Sequence, residues 1–490
     1  MPLVLLQIVL AFAVDPGPAR FGATVPQRVL DSGLTLMGPG QLSWRPLPLC
    51  APKDQCWVEV AVSGTGRRVR MQLGGPAPLS ALQHKDLAMA RDEATTAVHE
   101  RTSEWHFADG TVDTQRVLTF ASDVEWRGEK YTAGEMLTEE SEGLPRRCLS
   151  LLTLPRVQFE RMGLLPPAGR LGQEVRAHLR RAAAALVELP GRRGAGDYAR
   201  SGGVVTNLEF DTTLALLRLA LALGDETLLL AARRSALHLC DRDIDSRTGL
   251  PFQHGPDHRI NAPAPGHAWL QGLLWMGALC ADERMLTVAA QIARGLASAP
   301  PMAQGSGERA RDYAWPLLEL ESYLQLRPDP VVALAATEMA LAIAARYRPE
   351  LHTFCFGEGS FTEGDGYFER GWLSAGVVLP ALRAHLARRP DPELRRAVDD
   401  VTAALLERIG QGRGGLPTHW RIVRGGTFAE HRAERDPKAF FMLEALPVAD
   451  LRQLLQRSHV QRGLSETPAL DDPDLATSFT MIARCAWVYR

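Results

Sequence analysis

The chain has 490 residues, too many for one ordinary hydrophobic core, so two domains are expected. Its composition is that of a globular protein, 46% apolar and 23% charged. The formal net charge of −2 argues against a nucleic-acid binder, which needs a basic excess to meet phosphates, and no apolar run is long enough to span a membrane as a helix.

Leu3 to Val14 is a nearly unbroken apolar run that ends at Asp15 and the Pro16-Gly17-Pro18 breaker. Ala11-Phe12-Ala13 has the small-x-small form of a secretory cleavage site, although no Lys or Arg precedes the run. Residues 1–14 are therefore read as a signal peptide of a secreted or periplasmic protein. If the run is instead a buried first strand, the protein is cytoplasmic.

From 20 to 165 the dominant period is two. Gln41 to Leu47, Trp57 to Val62 and Val69 to Leu73 alternate apolar and polar residues, as half-buried strands do. His99 to Phe107 and Thr111 to Phe120 flank Ala108-Asp109-Gly110, which predicts a hairpin, and Trp126 to Tyr131 predicts a second. Cys148 to Phe159 reads as a further apolar strand. The expectation is an antiparallel, sandwich-like β domain over 20–165. Cys50 and Cys56 bracket a loop between two of its extended runs and can face each other as a disulfide. Cys240, Cys280 and Cys485, in apolar helical stretches, read as buried free thiols.

After Pro166-Pro167 the period becomes helical. Leu171–Leu189, Leu208–Leu223, Thr227–Asp241, Ala268–Ala281, Arg284–Ala297, Tyr313–Leu326, Val331–Tyr347, Trp372–Leu386, Glu393–Ile409, Ala439–Leu455 and Asp474–Tyr489 place apolar residues at helical spacing, with no strand expected between them. Short acidic turns at 224–226, 281–283, 327–330 and 389–392 alternate with long connections at 190–207, 241–267, 298–312, 348–371 and 411–437. That alternation, at a loose period of about fifty residues, is a structural repeat of helical hairpins. It predicts a mainly α fold, an (α/α) toroid over 166–490, with the long loops gathered at one end. A tetratricopeptide-type solenoid also pairs helices, but its period is tighter, near 34 residues, and its loops are short at both ends.

The long loops carry Tyr198, Arg200, Asn207, Glu209, His254, Arg259, His267, Trp269, Tyr313, Trp315, Tyr367 and Trp420. Aromatic rings can stack on pyranose C–H faces, while Arg, His and Asn groups hydrogen-bond hydroxyls. Each residue also has an ordinary role, since a Trp near a helix start is commonly core and a carboxylate in a first turn complements the helix dipole. Two stretches resemble a known family. Arg20 to Gln27 with Leu34 to Val62 is similar to the opening β domain of the exo-rhamnogalacturonan lyase-like proteins, within the six-hairpin toroid glycosidases and polysaccharide lyases. Gly196-Asp-Tyr to Leu219 and Gly266-His-Ala-Trp-Leu-Gln-Gly-Leu-Leu resemble their helix starts.

The resemblance implies a carbohydrate-active enzyme acting on a polysaccharide or oligosaccharide without a cofactor. As a lyase it would take the C5 proton of a uronide with His267 or His254 and return one through Tyr198 or Tyr313. Arg200 or Arg259 would bind the carboxylate, and Asn207, Glu209, Trp269, Trp315, Tyr367 and Trp420 would hold the sugar. Two further readings stay open: a glycoside hydrolase or epimerase using paired carboxylates among Asp197, Glu209, Asp211, Glu363 and Asp365, and a non-catalytic glycan-binding protein.

Overall fold

A computed structural model describes residues 19–26, 34–37, 41–47, 49, 55–63, 70–73, 83–93, 96–106, 112–153, 197–199, 205–207, 210–252, 263–299, 310–357, 361–362, 366–411, 419–423 and 428–432, with single positions 159, 164, 177, 180 and 184. The expected Cys50–Cys56 pairing, the apolar run at 3–14 and the helices beyond residue 438 lie outside them. The chain divides into two compact units. One comprises Met1–Pro167, Ala220–Ser246 and Gly272–Val288, the other Ala168–Leu219, Arg247–Gln271 and Ala289–Arg490.

In the first unit every described strand pairing is antiparallel. Strands β1 (Ala19–Pro26), β4 (Gln55–Ser63) and β3 (Gln41–Pro46) form one sheet in the order β1-β4-β3, and β2 (Leu34–Met37) pairs with β5 (Arg70–Leu73). A larger sheet runs β11-β8-β7-β6, built from β6 (Gln83–Glu93), β7 (Thr96–His106), β8 (Val112–Phe120) and β11 (Met136–Glu140). The hairpin foreseen around Asp109-Gly110 is there, with His106 opposite Val112. So is the second, β9 (Val124–Trp126) with β10 (Glu129–Tyr131), turned by Arg127 at φ 53° and Gly128 at φ 83°. Two successive left-handed residues match the twist of a two-residue hairpin, and glycine removes the steric cost at the second. Val98, Leu118, Phe120 and Tyr131 form a buried core there, with Trp126 packed against it.

The segment after β11 departs from expectation. Gly143–Cys148 is an α-helix (α1) and Leu149–Thr153 a 3₁₀ turn, not a strand. Cys148 and Leu151 are both buried, and an apolar run this short has no period with which to announce its conformation.

Three arginines from helical segments, Arg233 and Arg242 buried and Arg284 partly so, anchor to carboxylates in this unit. Arg233, on helix α3 (Glu226–Arg242), binds Glu140 of β11 and Asp282, and Gln115 donates to the same two carboxylates at 3.0 and 3.3 Å. Arg242 binds Glu135 at 3.2 Å and lies 3.7 Å over the Tyr131 ring. Arg284 pairs with Asp241, which also accepts from both the backbone N–H and the hydroxyl of Thr138 at 2.8 Å. Buried ion pairs add little net stability over apolar packing, but each fixes the register in which helix meets strand.

The helices form hairpins whose short turns share one solution. Helix α2 (Thr212–Leu223) turns into α3 at Gly224, φ 68°, and Asp225 caps α3 by accepting the Leu228 N–H. Helix α4 (Gln271–Cys280) turns into α5 (Glu283–Ser298) at Ala281, φ 51°, and Asp282 accepts the N–H groups of Arg284 and Met285. Asp329 caps α7 (Pro330–Ala344) after α6 (Ala310–Leu326). Asp391 caps α9 (Pro392–Gln411) after α8 (Leu379–Arg388). Each acidic turn is thus an N-cap, and in the last two a proline occupies the first helical position, where no N–H is needed. In the second unit α6 packs against both α7 and α8. It is buried almost all round, whereas α7 leaves Val331, Leu334 and Leu341 exposed.

Strands also occur between the helices, contrary to expectation. Among the described residues, β12 (Asp197–Ala199) pairs with β13 (Val205–Asn207), and β14 (Tyr347–Arg348) pairs with β15 (Thr353–Phe354). Strands β16 (Phe361–Thr362), β17 (Gly366–Glu369), β18 (His419–Val423) and β19 (Phe428–Arg432) make a four-stranded sheet that joins two of the long loops. Strands of two to five residues carry no usable alternation, and the β17–β18 pairing links segments about fifty positions apart.

Gly371, which follows this sheet, marks a tight fit. A Cβ there would overlap the six-membered ring of Trp420, which is fully buried. Gly371→Ala is expected to cost about 1–3 kcal/mol, as overpacking a core does, read as a lowered urea midpoint with an unchanged slope. An unshifted midpoint would mean the ring has room to move.

Candidate functional site where the long loops meet the helix ends

Within the second unit, the residues that open several helices come together. Phe210 and Asp211 precede α2 with φ of 60° and 62°, a strained pair for non-glycine residues. Asp211 offsets the strain locally by accepting the Leu214 N–H at 2.9 Å and, through its carbonyl, the Ala215 N–H at 3.0 Å. The conformation turns Phe210 into an aromatic cluster. Its ring centroid lies 5.9 Å from Trp269 before α4, 6.3 Å from Trp315 in α6 and 6.4 Å from Trp372 in the turn Gly371–Leu373 that leads to α8. Trp269 and Trp315 meet edge to face at 4.7 Å. A π-helical turn, Ser374–Val378, joins the Trp372 turn to α8.

This cluster corrects part of the expected site. Trp269 is 1% exposed, Trp315 and Trp420 are 0%, so none presents a ring face to a sugar, and their packing roles prevail. Tyr367, also expected to hold substrate, is buried with its hydroxyl accepting the Phe356 N–H at 3.0 Å, which ties β17 to the turn after β15.

His267 sits in the 3₁₀ turn Pro265–His267, one residue after Gly266. Glycine gives the close approach there: a Cβ would meet the Asp312 Oδ1 at 2.6 Å and the Arg311 carbonyl oxygen at 3.3 Å. Arg311, in the first turn of α6, donates from Nη2 to the Gly266 carbonyl at 3.1 Å and to the His267 Nδ1 at 3.3 Å. A guanidinium can only donate, so Nδ1 must present its lone pair and the ring proton sits on Nε2. In this arrangement His267 is a hydrogen-bond donor toward whatever faces Nε2. The role of proton acceptor expected for it would require Arg311 to move.

Two residues further along α6, Tyr313 receives a hydrogen bond on its hydroxyl oxygen from Arg346 Nη2 at 2.9 Å. The guanidinium lies 4.4 Å over the Tyr313 ring and 5.6 Å from that of Phe356. Tyr313 is itself 3% exposed, a buried ring like Tyr367, but its hydroxyl oxygen accepts from a guanidinium and not from the backbone.

Three of the described carboxylates at this end are committed to structure. Asp211 caps α2. Glu319 accepts the backbone N–H groups of Leu270 and Gln271 at 3.0 and 2.9 Å, which seats the start of α4. Glu369 accepts from Thr353, from the Trp420 indole and from Arg408. Nearer the short-turn end, Glu321 of α6 binds His385 at 2.6 Å and Arg388 at 2.7 Å on α8. Burial pushes the Glu321 carboxyl up, but its bonds to Arg388 and His385 prevail and hold it below the usual carboxylate range.

Of the other residues expected to serve a site, Tyr198 and Asn207 lie in β12 and β13, opposite Thr206 and Asp197. Arg200, Glu209, His254 and Arg259 lie outside the described residues. Sequence reading missed both arginines that frame the site. Arg311 is visible as the opening of Arg-Asp-Tyr after a long loop, whereas Arg346, at the end of an apolar helix, gives no signal.

No protein-family model matches this chain, and no curated protein matches its sequence. Solved structures share part of its outline. A cellobiose 2-epimerase from Bacillus thermoamylovorans is 9% identical over 63% of this chain and 85% of that one, with a TM-score of 0.42. A polysaccharide lyase is 12% identical over 64% of this chain and 97% of that one, at 0.43. An endoglucanase of glycosyl hydrolase family 8 from Klebsiella pneumoniae is 15% identical over 64% and 98%, at 0.32. At such identities and scores they assign this chain no activity.

Proposed function

We propose that this chain is a carbohydrate-active enzyme on an (α/α) toroid, and that it cleaves a uronic-acid-containing glycan by β-elimination. One observation carries the reading: the first turn of α6 holds Arg311 and Tyr313, each a member of a pair that joins a proton-bearing group to a guanidinium. These are the His267–Arg311 and Tyr313–Arg346 pairs. Elimination must neutralise the C6 carboxylate, remove the C5 proton and protonate the departing O4. Arg311 and the Nε2–H of His267 are suited to the carboxylate, since both donate. Tyr313 is suited to the proton: as a phenolate beside Arg346 it would take the C5 proton and, as the resulting phenol, give it to the departing O4.

A glycosidase would need two carboxylates facing the bond, about 5–5.5 Å apart for retention or 6.5–9.5 Å for inversion. Of the carboxylates expected for that reading, Asp211 caps α2, whereas Glu209, Glu363 and Asp365 lie outside the described residues. Epimerisation starts with the same loss of a C–H proton, so the same pairs favour it as the second reading. The likeness to exo-rhamnogalacturonan lyase-like proteins suggests pectic uronides as the first substrates to try.

The test is ultraviolet absorbance of the chain incubated with a panel of uronic-acid polysaccharides. A rise from the conjugated unsaturated uronide is expected. New reducing ends without that rise would refute elimination in favour of hydrolysis, and silence on the whole panel would favour a binding role.

A further inference from the structure

We infer that Cys148 and Cys280 are a redox pair that closes to a disulfide under oxidising conditions and ties α1 to α4. The two sulfur atoms stand 2.9 Å apart, and each cysteine is the last residue of its helix. Closing the bond needs a further approach to only about 2.05 Å. Both side chains are buried in the first unit, with the Met276 sulfur 3.5 Å from Cys280.

The surroundings favour exchange at one sulfur. Arg233 Nη1 lies 3.5 Å from Cys148 Sγ, and its guanidinium is held in place by Glu140 and Asp282. The hydrogen bond shared with Cys280, helped by Arg233 and opposed by burial, holds the Cys148 thiol below its ordinary range, and Cys280 is pushed above its own. The Arg233 guanidinium beside its Sγ makes Cys148 the attacking thiolate and Cys280 the resolving thiol, with glutathione reaching them as the chain refolds and before both are buried. Cys355 is the contrast: burial pushes its thiol up to about 12.

The co-reactant is a small disulfide such as oxidised glutathione. The Cys148 thiolate forms a bond to one glutathione sulfur and expels the other as a thiolate. Cys280 then gives its proton to solvent, attacks the Cys148 sulfur of the mixed disulfide and releases the second glutathione. Two protein thiols are oxidised and one small disulfide is reduced to two thiols. The bond would close a loop across 132 positions, and long loops lose the most unfolded-state entropy on cross-linking.

The test refolds the full chain in oxidised or in reduced glutathione, alkylates it under denaturing, non-reducing conditions, and maps the peptides by mass spectrometry. The oxidised sample should yield a linked peptide pair containing Cys148 and Cys280 in most chains, abolished by dithiothreitol. The Cys280→Ser chain should instead retain glutathione on Cys148. Separate alkylation of Cys148 and Cys280 in the oxidised wild-type chain would overturn the assignment, whatever other cysteines do.

Discussion

Replacing Glu369 by alanine is expected to destabilise the chain by about 3–5 kcal/mol, the usual cost of removing one member of a buried, hydrogen-bonded charge cluster. The carboxylate gathers the Thr353 hydroxyl, the Trp420 indole N–H and the Arg408 guanidinium, the last at 3.2 Å. Arg408 is itself buried, and its other partners among the described residues are the carbonyls of Leu351 and His352, which accept from its N–H groups but carry no counter-charge. Alanine leaves that charge without a counterion among the described residues, opens a cavity and strips the indole of its acceptor. The site should suffer with the fold, because Glu369 ends β17 immediately before the turn that carries Trp372 into the aromatic cluster. Urea denaturation reads the effect as a lowered midpoint. Glu369→Gln should fall between, keeping an acceptor for Trp420 while losing the charge. A loss below about 0.5 kcal/mol for alanine would place Glu369 among ordinary surface positions and remove it as the hub of this corner.

The second large effect is expected in catalysis. Tyr313→Phe should lower kcat by about 10²–10⁴-fold, the contribution of a positioned proton carrier, while KM and the melting temperature stay near their wild-type values. The ring is kept, so Arg346 retains its stacking on Tyr313 and Phe356 and its bond to the Ala342 carbonyl. His267→Asn is the informative companion. The asparagine oxygen can stand where Nδ1 accepts from Arg311, but the Nε2–H is lost, so the expected change is chiefly a rise in KM for an anionic sugar. Loss of kcat in His267→Asn with none in Tyr313→Phe would exchange the two roles.

Much of the helical architecture was legible, for physical reasons that individual residues make plain. Thr227 to Asp241 repeats its apolar residues at the period of one buried face, and the helix runs Glu226–Arg242. Asp225, Asp282, Asp329 and Asp391 stand in short turns because helix starts leave N–H groups without intrahelical partners. Arg127-Gly128 between two alternating runs is a local hairpin signal, and the hairpin forms. What escaped notice depends on distant partners. Leu149 to Thr153 carries no period, and the burial of Leu151 within it depends on what packs over it in the fold. The pairing of Tyr367 with Ile422, or of Cys148 with Cys280, joins segments that nothing local connects. The aromatic residues read as sugar platforms were correctly placed at helix starts but wrongly weighted. Trp269 and Trp315 pack against each other and Phe210, which a composition of aromatic loops cannot distinguish from a binding face. Arg346 was invisible because its partner, the Tyr313 hydroxyl, is known only once α6 and α7 are paired.

Mass spectrometry of the products formed from uronic-acid oligosaccharides in heavy-oxygen water tests the central claim most directly. Elimination by the His267–Arg311 and Tyr313–Arg346 pairs predicts that the fragment from the reducing side, with the unsaturated uronide at its new non-reducing end, is lighter by one water than its hydrolytic counterpart, and that cleavage introduces no solvent oxygen into either product. A saturated pair of fragments, one of them carrying the heavy oxygen, would contradict it.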